Sequence, residues 1–254
     1  MKHRINLIIF VVLISLNAIF LHNSPFLNLG YYLIAVLFLL LLSIGVFNLR
    51  FQYFMRAITH LNTNDVLLTF DDGPDLKFTP LILDTLKEHG VKAVFFLIGK
   101  KAEEFPNVVR RIVAEGHLIG NHTYSHSSFF SLCKSSRVGK EIDLTTEVLK
   151  SITGIKTVLF RPPIGYSNPI IAKAILKREL KVVGWNRRSF DTVITSNRYL
   201  KARLLMITKP GSILLLHDNL EQTQQVLHNY LVQAKHNGII FAKDITIESI
   251  TSWN

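Results

Sequence analysis

From Asp65 onward the chain alternates short apolar runs with amphipathic stretches, and that alternation restricts its fold more than any other feature. Runs suited to strands lie at 65–70, 92–98, 117–120, 156–160, 181–185, 212–216 and 238–242. Stretches of helical spacing lie between them, at 79–89, 106–115, 137–153, 168–179, 197–207 and 221–236. Strands that alternate with helices pack as a parallel sheet, either a (β/α) barrel or a doubly wound sheet. Asn168-Pro169 opens one helix with an N-cap followed by Pro at its first position, and Gly90 closes another. No sequence repeat or low-complexity tract interrupts the pattern.

The first fifty residues obey a different rule. Two apolar segments, about 5–21 and 31–48, flank an uncharged link, and the first acidic residue of the chain is Asp65. With their apolar flanks both approach the ~20 residues that span a bilayer core, so they read as a membrane hairpin, with buried soluble helices as the competing reading. Met1-Lys2-His3-Arg4 resembles the start of a signal peptide, but no small-x-small cleavage pattern comes after it and the second segment would remain. Lys2 and Arg4 precede the first segment, Arg50 and Arg56 follow the second, and the link has no basic residue other than His22. That distribution favours both ends in the cytoplasm, in a two-pass membrane protein. If a single segment spans, the following domain lies outside. Phe51 to Ile58 reads as an interfacial stretch. The expected division is therefore a membrane anchor over 1–60 and one domain over 61–254.

Of the formal net charge of +11, residues 1–56 carry +4 through Lys2, Arg4, Arg50 and Arg56, which leaves +7 for the remainder. Such a charge suits an anionic surface or an anionic substrate. Nucleic acid is not an expected partner, because no helix-turn-helix, zinc-finger or RNP-like pattern is present. The single Cys133 excludes an intramolecular disulfide and a cysteine-built metal site.

Reactive side chains cluster at the ends of the apolar runs. Asp71 and Asp72 follow the first, His122 and His126 the third, Arg161 the fourth, Trp185 and Asp191 the fifth, and His217 and Asp218 the sixth. In a parallel barrel or sheet those C-terminal ends share one rim, where active sites are assembled from several strands. Adjacent carboxylates on an extended chain point in different directions, so Asp71 and Asp72 are expected to serve two tasks. A spacing of four puts His122 and His126 on one face if their segment is helical, close enough to share a metal ion. Thr123 stands where a zinc-protease helix would need Glu. With Asp72 the two histidines make a ligand set that leaves positions open for water. His217 beside Asp218 suits a general acid. Arg161, stiffened by Pro162 and Pro163, suits the orientation of a carboxylate.

Thr69-Phe70-Asp71-Asp72-Gly73-Pro74, His122-Thr-Tyr-Ser-His126, Arg161-Pro-Pro-Ile-Gly165, Trp185 through Asp191, and Leu214-Leu-Leu-His217-Asp218 resemble, in order, the five motifs of the polysaccharide deacetylase family, also called the NodB homology domain or carbohydrate esterase family 4. The resemblance runs from about Asn64 to Ile250 and leaves out the hairpin. It implies a distorted (β/α)7 barrel of the NodB type, here preceded by a transmembrane hairpin. It also implies metal-dependent hydrolysis of an N-acetyl group on an amino sugar of a glycan. By the resemblance Asp71 is the general base, oriented by Arg161. Asp72, His122 and His126 hold a divalent ion, usually zinc. His217 is the general acid, tuned by Asp191. The backbone N–H of Ile164 faces the oxyanion, and Trp185 and Leu215 line the pocket for the acetyl methyl. Ile164 stands where Tyr is frequent, and Thr192 where Trp is frequent after Asp191, which alters the groove wall. Arg187 and Arg188 are candidates for contacting a phosphate or carboxylate of the substrate. A deacetylase or deformylase of a polyprenyl-phosphate-linked sugar fits the same resemblance. A glycan-binding protein without activity would be expected to lack Asp71 or His217, and both are present.

Overall fold

The computed structural model describes residues 2–251. Met1 and the last three residues of the expected domain, 252–254, lie outside the described residues. The strands are β1 (Leu67–Gly73), β2 (Ala93–Leu97), β3 (Leu118–Asn121), β4 (Leu159–Phe160), β5 (Lys181–Val182), β6 (Arg187–Arg188) and β7 (Ile213–His217). The helices are α1 (Lys2–Leu21), α2 (Leu27–Phe47), α3 (Phe78–Glu88), α4 (Gly99–Glu104), α5 (Pro106–Ala114), α6 (Ser135–Thr153), α7 (Pro169–Lys177), α8 (Asn197–Ile207), α9 (Glu221–His236) and α10 (Ile247–Thr251).

The strands form one parallel sheet in the order β5-β4-β3-β2-β1-β7-β6. β1 and β2 sit in its middle with every residue of Val66–Phe70 and Ala93–Leu97 out of contact with solvent. Parallel strands covered on both faces need nearly continuous apolar runs, which these are apart from Thr69, whose hydroxyl donates to the Leu214 carbonyl at 2.9 Å. The two edge strands, β5 and β6, are separated in sequence by residues 183–186 alone. So short a link reaches at most ~3.6 Å per residue. The sheet therefore curls until its edges approach, which gives the distorted seven-stranded barrel and excludes the open doubly wound alternative.

The expected strand at 238–242 contributes one isolated pairing, Phe241 with Val66. Gly238, at φ +80°, turns the chain after α9 and leaves little extended backbone to pair. The seventh strand is instead Arg187–Arg188, a two-residue edge without an apolar signature. α4 was not anticipated either, since six residues carry too little periodicity. The six helices expected in the domain lie within two residues of observed ones, and the two hairpin helices begin three and four residues earlier than expected.

α1 and α2 run beside each other, with the Phe10 and Phe38 rings 4.4 Å apart. Their outward faces expose Ile8, Ile19, Val36 and Leu39 among many others. Tyr53, Phe54, Met55 and Ile58, anticipated at a lipid surface, are buried, Tyr53 against Gly45 of α2 and His3 of α1 at the foot of the hairpin. The first three pack with residues of α7 and β5, and Ile58 pairs with Val183.

Candidate active site

β1 brings both carboxylates to the rim, but not in the arrangement that an ideal strand would give. The register against β2 slips between Asp71 and Gly73, and Asp72 adopts φ +72°. Asp tolerates this left-handed conformation better than most residues. The bulge re-aims Asp72 so that the neighbouring carboxylates converge. Asp71 Oδ2 and Asp72 Oδ1 lie 3.7 and 3.5 Å from the same atom, His122 Nε2. Gly73 leaves no room for a side chain, because a Cβ there would collide with the Asp218 carboxylate.

His122 and His126 are not on a helix. They leave β3 in a loop where Thr123 and His126 have φ +67° and +48°, and their rings meet at 4.8 Å. Asn121 shapes that loop. Its Oδ1 accepts the Thr123 N–H at 2.9 Å, and its Nδ2 donates to the Ile142 carbonyl at 2.8 Å. A polar residue at the end of a buried strand, directly before His122, was the available signal for its role.

His122 Nδ1 donates to the Arg161 carbonyl at 2.8 Å, which leaves Nε2 as the free face of the ring. His126 Nε2 stands 3.2 Å from Asp72 Oδ1. That oxygen is buried and accepts no hydrogen bond. Burial would raise the Asp72 pKa, yet the adjacent His122 imidazole and the charges of His122, His126 and His217 outweigh it and hold the carboxyl well below its usual range. Ligand atoms of Asp72, His122 and His126 all lie within 4.8 Å of one another. An unpartnered buried carboxylate oxygen facing two imidazole nitrogens fits a divalent cation. Glu88, His89 and His228 form a second such group on the outer surface, between α3 and α9, with two of the three exposed.

Arg161 is fully buried and divides its donors among four partners. Nη1 reaches Asp71 Oδ1 at 2.7 Å and Thr69 Oγ1 at 2.9 Å, while Nε and Nη2 reach the Val183 and Gly184 carbonyls at 2.8 Å each. Its guanidinium stacks on Phe96 at 4.1 Å and lies 5.4 Å from the Trp185 ring. Planar stacking and forked bonding together hold Asp71 in one orientation.

Across the rim, His217 Nδ1 donates to Asp191 Oδ1 at 2.8 Å, and the His217 backbone N–H donates to Oδ2 at 2.8 Å. Ser189 and Thr223 donate to the same carboxylate at 2.7 and 2.8 Å. Thr223, on α9, lies too far along the chain from Asp191 for any local pattern to connect them. Burial would lower the His217 pKa, but the bond to Asp191 and the charges of Asp191, Asp71 and Asp72 prevail and raise it to about 9 from 6.5. The paired state therefore adds stability that is complete below 6.5 and lost as the pH rises through about 9. In the metal-free protein the His217 imidazole is expected to titrate near pH 9 by NMR, and Asp191→Asn should move it downward. An unmoved titration would mean that Asp191 does not hold the charge.

Of the remaining expected residues, Ile164 has φ +61° and a half-exposed side chain in the loop after Arg161. Trp185 fits against Gly165 so closely that a Cβ there would strike the indole. Leu215 is buried and pairs with Thr69 between β7 and β1. Arg188 lies over the Phe190 ring at 5.1 Å, which Arg203 also covers at 4.5 Å. Asp218 is fully buried, where it accepts from Thr79 Oγ1 at 2.6 Å, and burial pushes its carboxyl up to about 7.

Fold and site together define a barrel hydrolase whose reactive groups converge from five strand ends onto one rim. Residues 59–183 match the family described as Polysaccharide deacetylase. The peptidoglycan-N-acetylglucosamine deacetylase of Bacillus cereus is 38% identical over 193 residues, covering 74% of this chain and 69% of that protein. The chitooligosaccharide deacetylase of Azorhizobium caulinodans is 35% identical over 162 residues, covering 62% of this chain and 75% of that protein. The crystal structure of the Bc1960 peptidoglycan N-acetylglucosamine deacetylase superposes with a TM-score of 0.69 at 37% identity, over 76% of this chain and 91% of that one. The chain belongs to the polysaccharide deacetylase family, carbohydrate esterase family 4, and is an N-deacetylase that hydrolyses carbon–nitrogen bonds of N-acetylated glycans.

Proposed function

We propose that this chain is a membrane-anchored, divalent-metal-dependent deacetylase of N-acetylated amino sugars in a cell-envelope glycan or the precursor from which it is built, its relatives pointing to N-acetylglucosamine units. The anchor covers residues 1–60 and the catalytic domain 61–254. The observation that carries the reading is the buried, unpartnered Oδ1 of Asp72 facing the Nε2 atoms of His122 and His126. Those three residues would hold the ion, zinc being the first candidate. When bound, it would polarise the amide carbonyl and acidify a water.

The chain's own groups divide the proton transfers. Asp71, fixed through Oδ1 by Arg161, accepts the proton of the attacking water as the new C–O bond forms. The Ile164 N–H supports the oxyanion, and Trp185 and Leu215 bound the acetyl methyl. His217, protonated and held through Nδ1 by Asp191, delivers a proton to the departing amine as the C–N bond breaks.

His126→Ala should lose bound metal and turnover together, measured by elemental analysis and acetate release on the same preparation. Chelation of the wild-type protein should abolish turnover, and a divalent ion should restore it. A variant that keeps both metal and rate would displace His126 from the ligand set. The two apolar helices, 20 and 21 residues long, support the anchor, and the flanking basic residues favour a cytoplasmic domain. A reporter active only outside the cytoplasm, fused after Asn62, should then stay inactive; an active one would move the domain outside.

A further inference from the structure

α2 is fastened to the rim of the barrel. Ser167 donates its backbone N–H to the Val46 carbonyl at 3.0 Å and its Oγ to the Gly45 carbonyl at 2.7 Å. The Phe47 and Tyr166 rings meet edge-on at 5.1 Å, and Leu42 and Val46 pack against the cluster that holds Phe130, Ile171 and Val182. Ser167 lies between Ile164 and the first turn of α7, so this contact is made at the C-terminal ends of the strands. Two hydrogen bonds and apolar packing hold the hairpin in one orientation to the site. It is not a loose tether.

Beside that contact, Phe129 and Leu132 are 71% and 80% exposed. Phe130 lies close to both and is buried in the cluster against which Leu42 and Val46 of α2 pack, and Asn168 Nδ2 ties the same turn to α7 through the Ser131 carbonyl at 2.6 Å. The turn begins three residues after His126. Two large apolar side chains thus stand exposed on a turn tied to the same α7 end that holds α2, beside the active rim, where a lipid surface would cover them. The stretch anticipated to meet lipid, Phe51 to Ile58, has most of its apolar side chains buried between the foot of the hairpin and the domain.

We infer that the rim bearing Asp71, Asp72 and His217 faces the bilayer with Phe129 and Leu132 at headgroup level, and that the substrate is an amino sugar carried on a lipid. The inference rests on the reading of the chain as a membrane-anchored deacetylase. A sugar attached to a lipid is delivered at the height of the rim, where anchoring both partners raises their effective concentration.

The test uses the full chain in phosphatidylcholine vesicles with a fraction of anionic lipid, in a Cys133→Ser background. A fluorophore is attached through Leu132→Cys, through Val36→Cys in α2, or through Asn237→Cys just past α9 at the opposite end of the barrel. Headgroup-level spin-labelled lipid should quench the label at 132, and lipid labelled along the acyl chain the one at 36. Aqueous iodide alone should quench the label at 237. Lipid quenching at 36 with iodide quenching alone at 132 would overturn the placement and leave the anchor standing. Absence of lipid quenching at 36 would remove the anchor, and the inference with it.

A second readout addresses the substrate. The full chain in the vesicles should deacetylate a lipid-attached N-acetylglucosaminyl probe about tenfold faster than a soluble N-acetylglucosamine oligomer at the same bulk concentration, because enzyme and probe share the surface. Equal rates on the two, or a faster rate on the soluble oligomer, would overturn the lipid assignment.

Discussion

Asp71→Asn should lower turnover about 10³-fold while bound metal stays, the loss typical of a removed general base. The substitution keeps the shape and an oxygen that accepts from Arg161 Nη1, a bond of 2.7 Å in the parent. It removes the capacity to take up a proton. Asp72, His122 and His126 are untouched, so metal content separates loss of the base from loss of the site. Part of the effect is structural, since Arg161 is left as a buried charge without its counter-ion. Thermal denaturation should therefore show a lower midpoint, with the residual activity read well below it. Near-normal turnover in a metal-loaded Asp71→Asn protein would falsify the base assignment.

Arg161→Leu should cost about 3–5 kcal/mol of stability, the range for breaking a buried ion pair from one side. It strands Asp71 in a site where that residue is 5% exposed, and it leaves the Val183 and Gly184 carbonyls without their donors. An unsatisfied buried acceptor adds a penalty of about 1–3 kcal/mol. Denaturant unfolding of Arg161→Leu, Asp71→Asn and the double variant forms a cycle. The double variant should be less destabilised than the sum, because no unpaired charge remains once both partners are gone. Additive losses would mean that Arg161 acts mainly through Phe96 and the two carbonyls rather than through Asp71. Turnover of Arg161→Leu should fall with its stability only in part, since an Asp71 free to rotate is also a poorer base.

The two variants mark how far the sequence can be read. Asp71 and Arg161 each end an apolar run, and a parallel sheet must bring such ends to one rim; their convergence is a consequence of topology. How Arg161 is held is not. Its partners lie on β1, on the 183–184 segment and on β2, and a guanidinium that is buried rather than exposed leaves no local mark in the sequence. Asp72 makes the same point more sharply. An ideal strand would turn it away from Asp71, yet a bulge one residue long brings both carboxylates to within 3.7 Å of His122 Nε2. The His122 and His126 pair is likewise joined by left-handed backbone at Thr123 and His126, not by a helical turn.

By itself the sequence determined the features that depend on nearest neighbours along the chain: buried strands as nearly continuous apolar runs, amphipathic helices between them, two segments apolar enough for a bilayer, and reactive residues at strand ends. Tertiary structure alone decided which edge residues closed the barrel and how the carboxylates were aimed. It also decided which apolar residues were covered. Phe51–Ile58 and Phe129–Leu132 are similarly apolar stretches, yet Tyr53, Phe54, Met55 and Ile58 are buried while Phe129 and Leu132 stand in the open. The physical reason is that periodicity records which residues avoid water, and only packing settles whether protein is there to cover them.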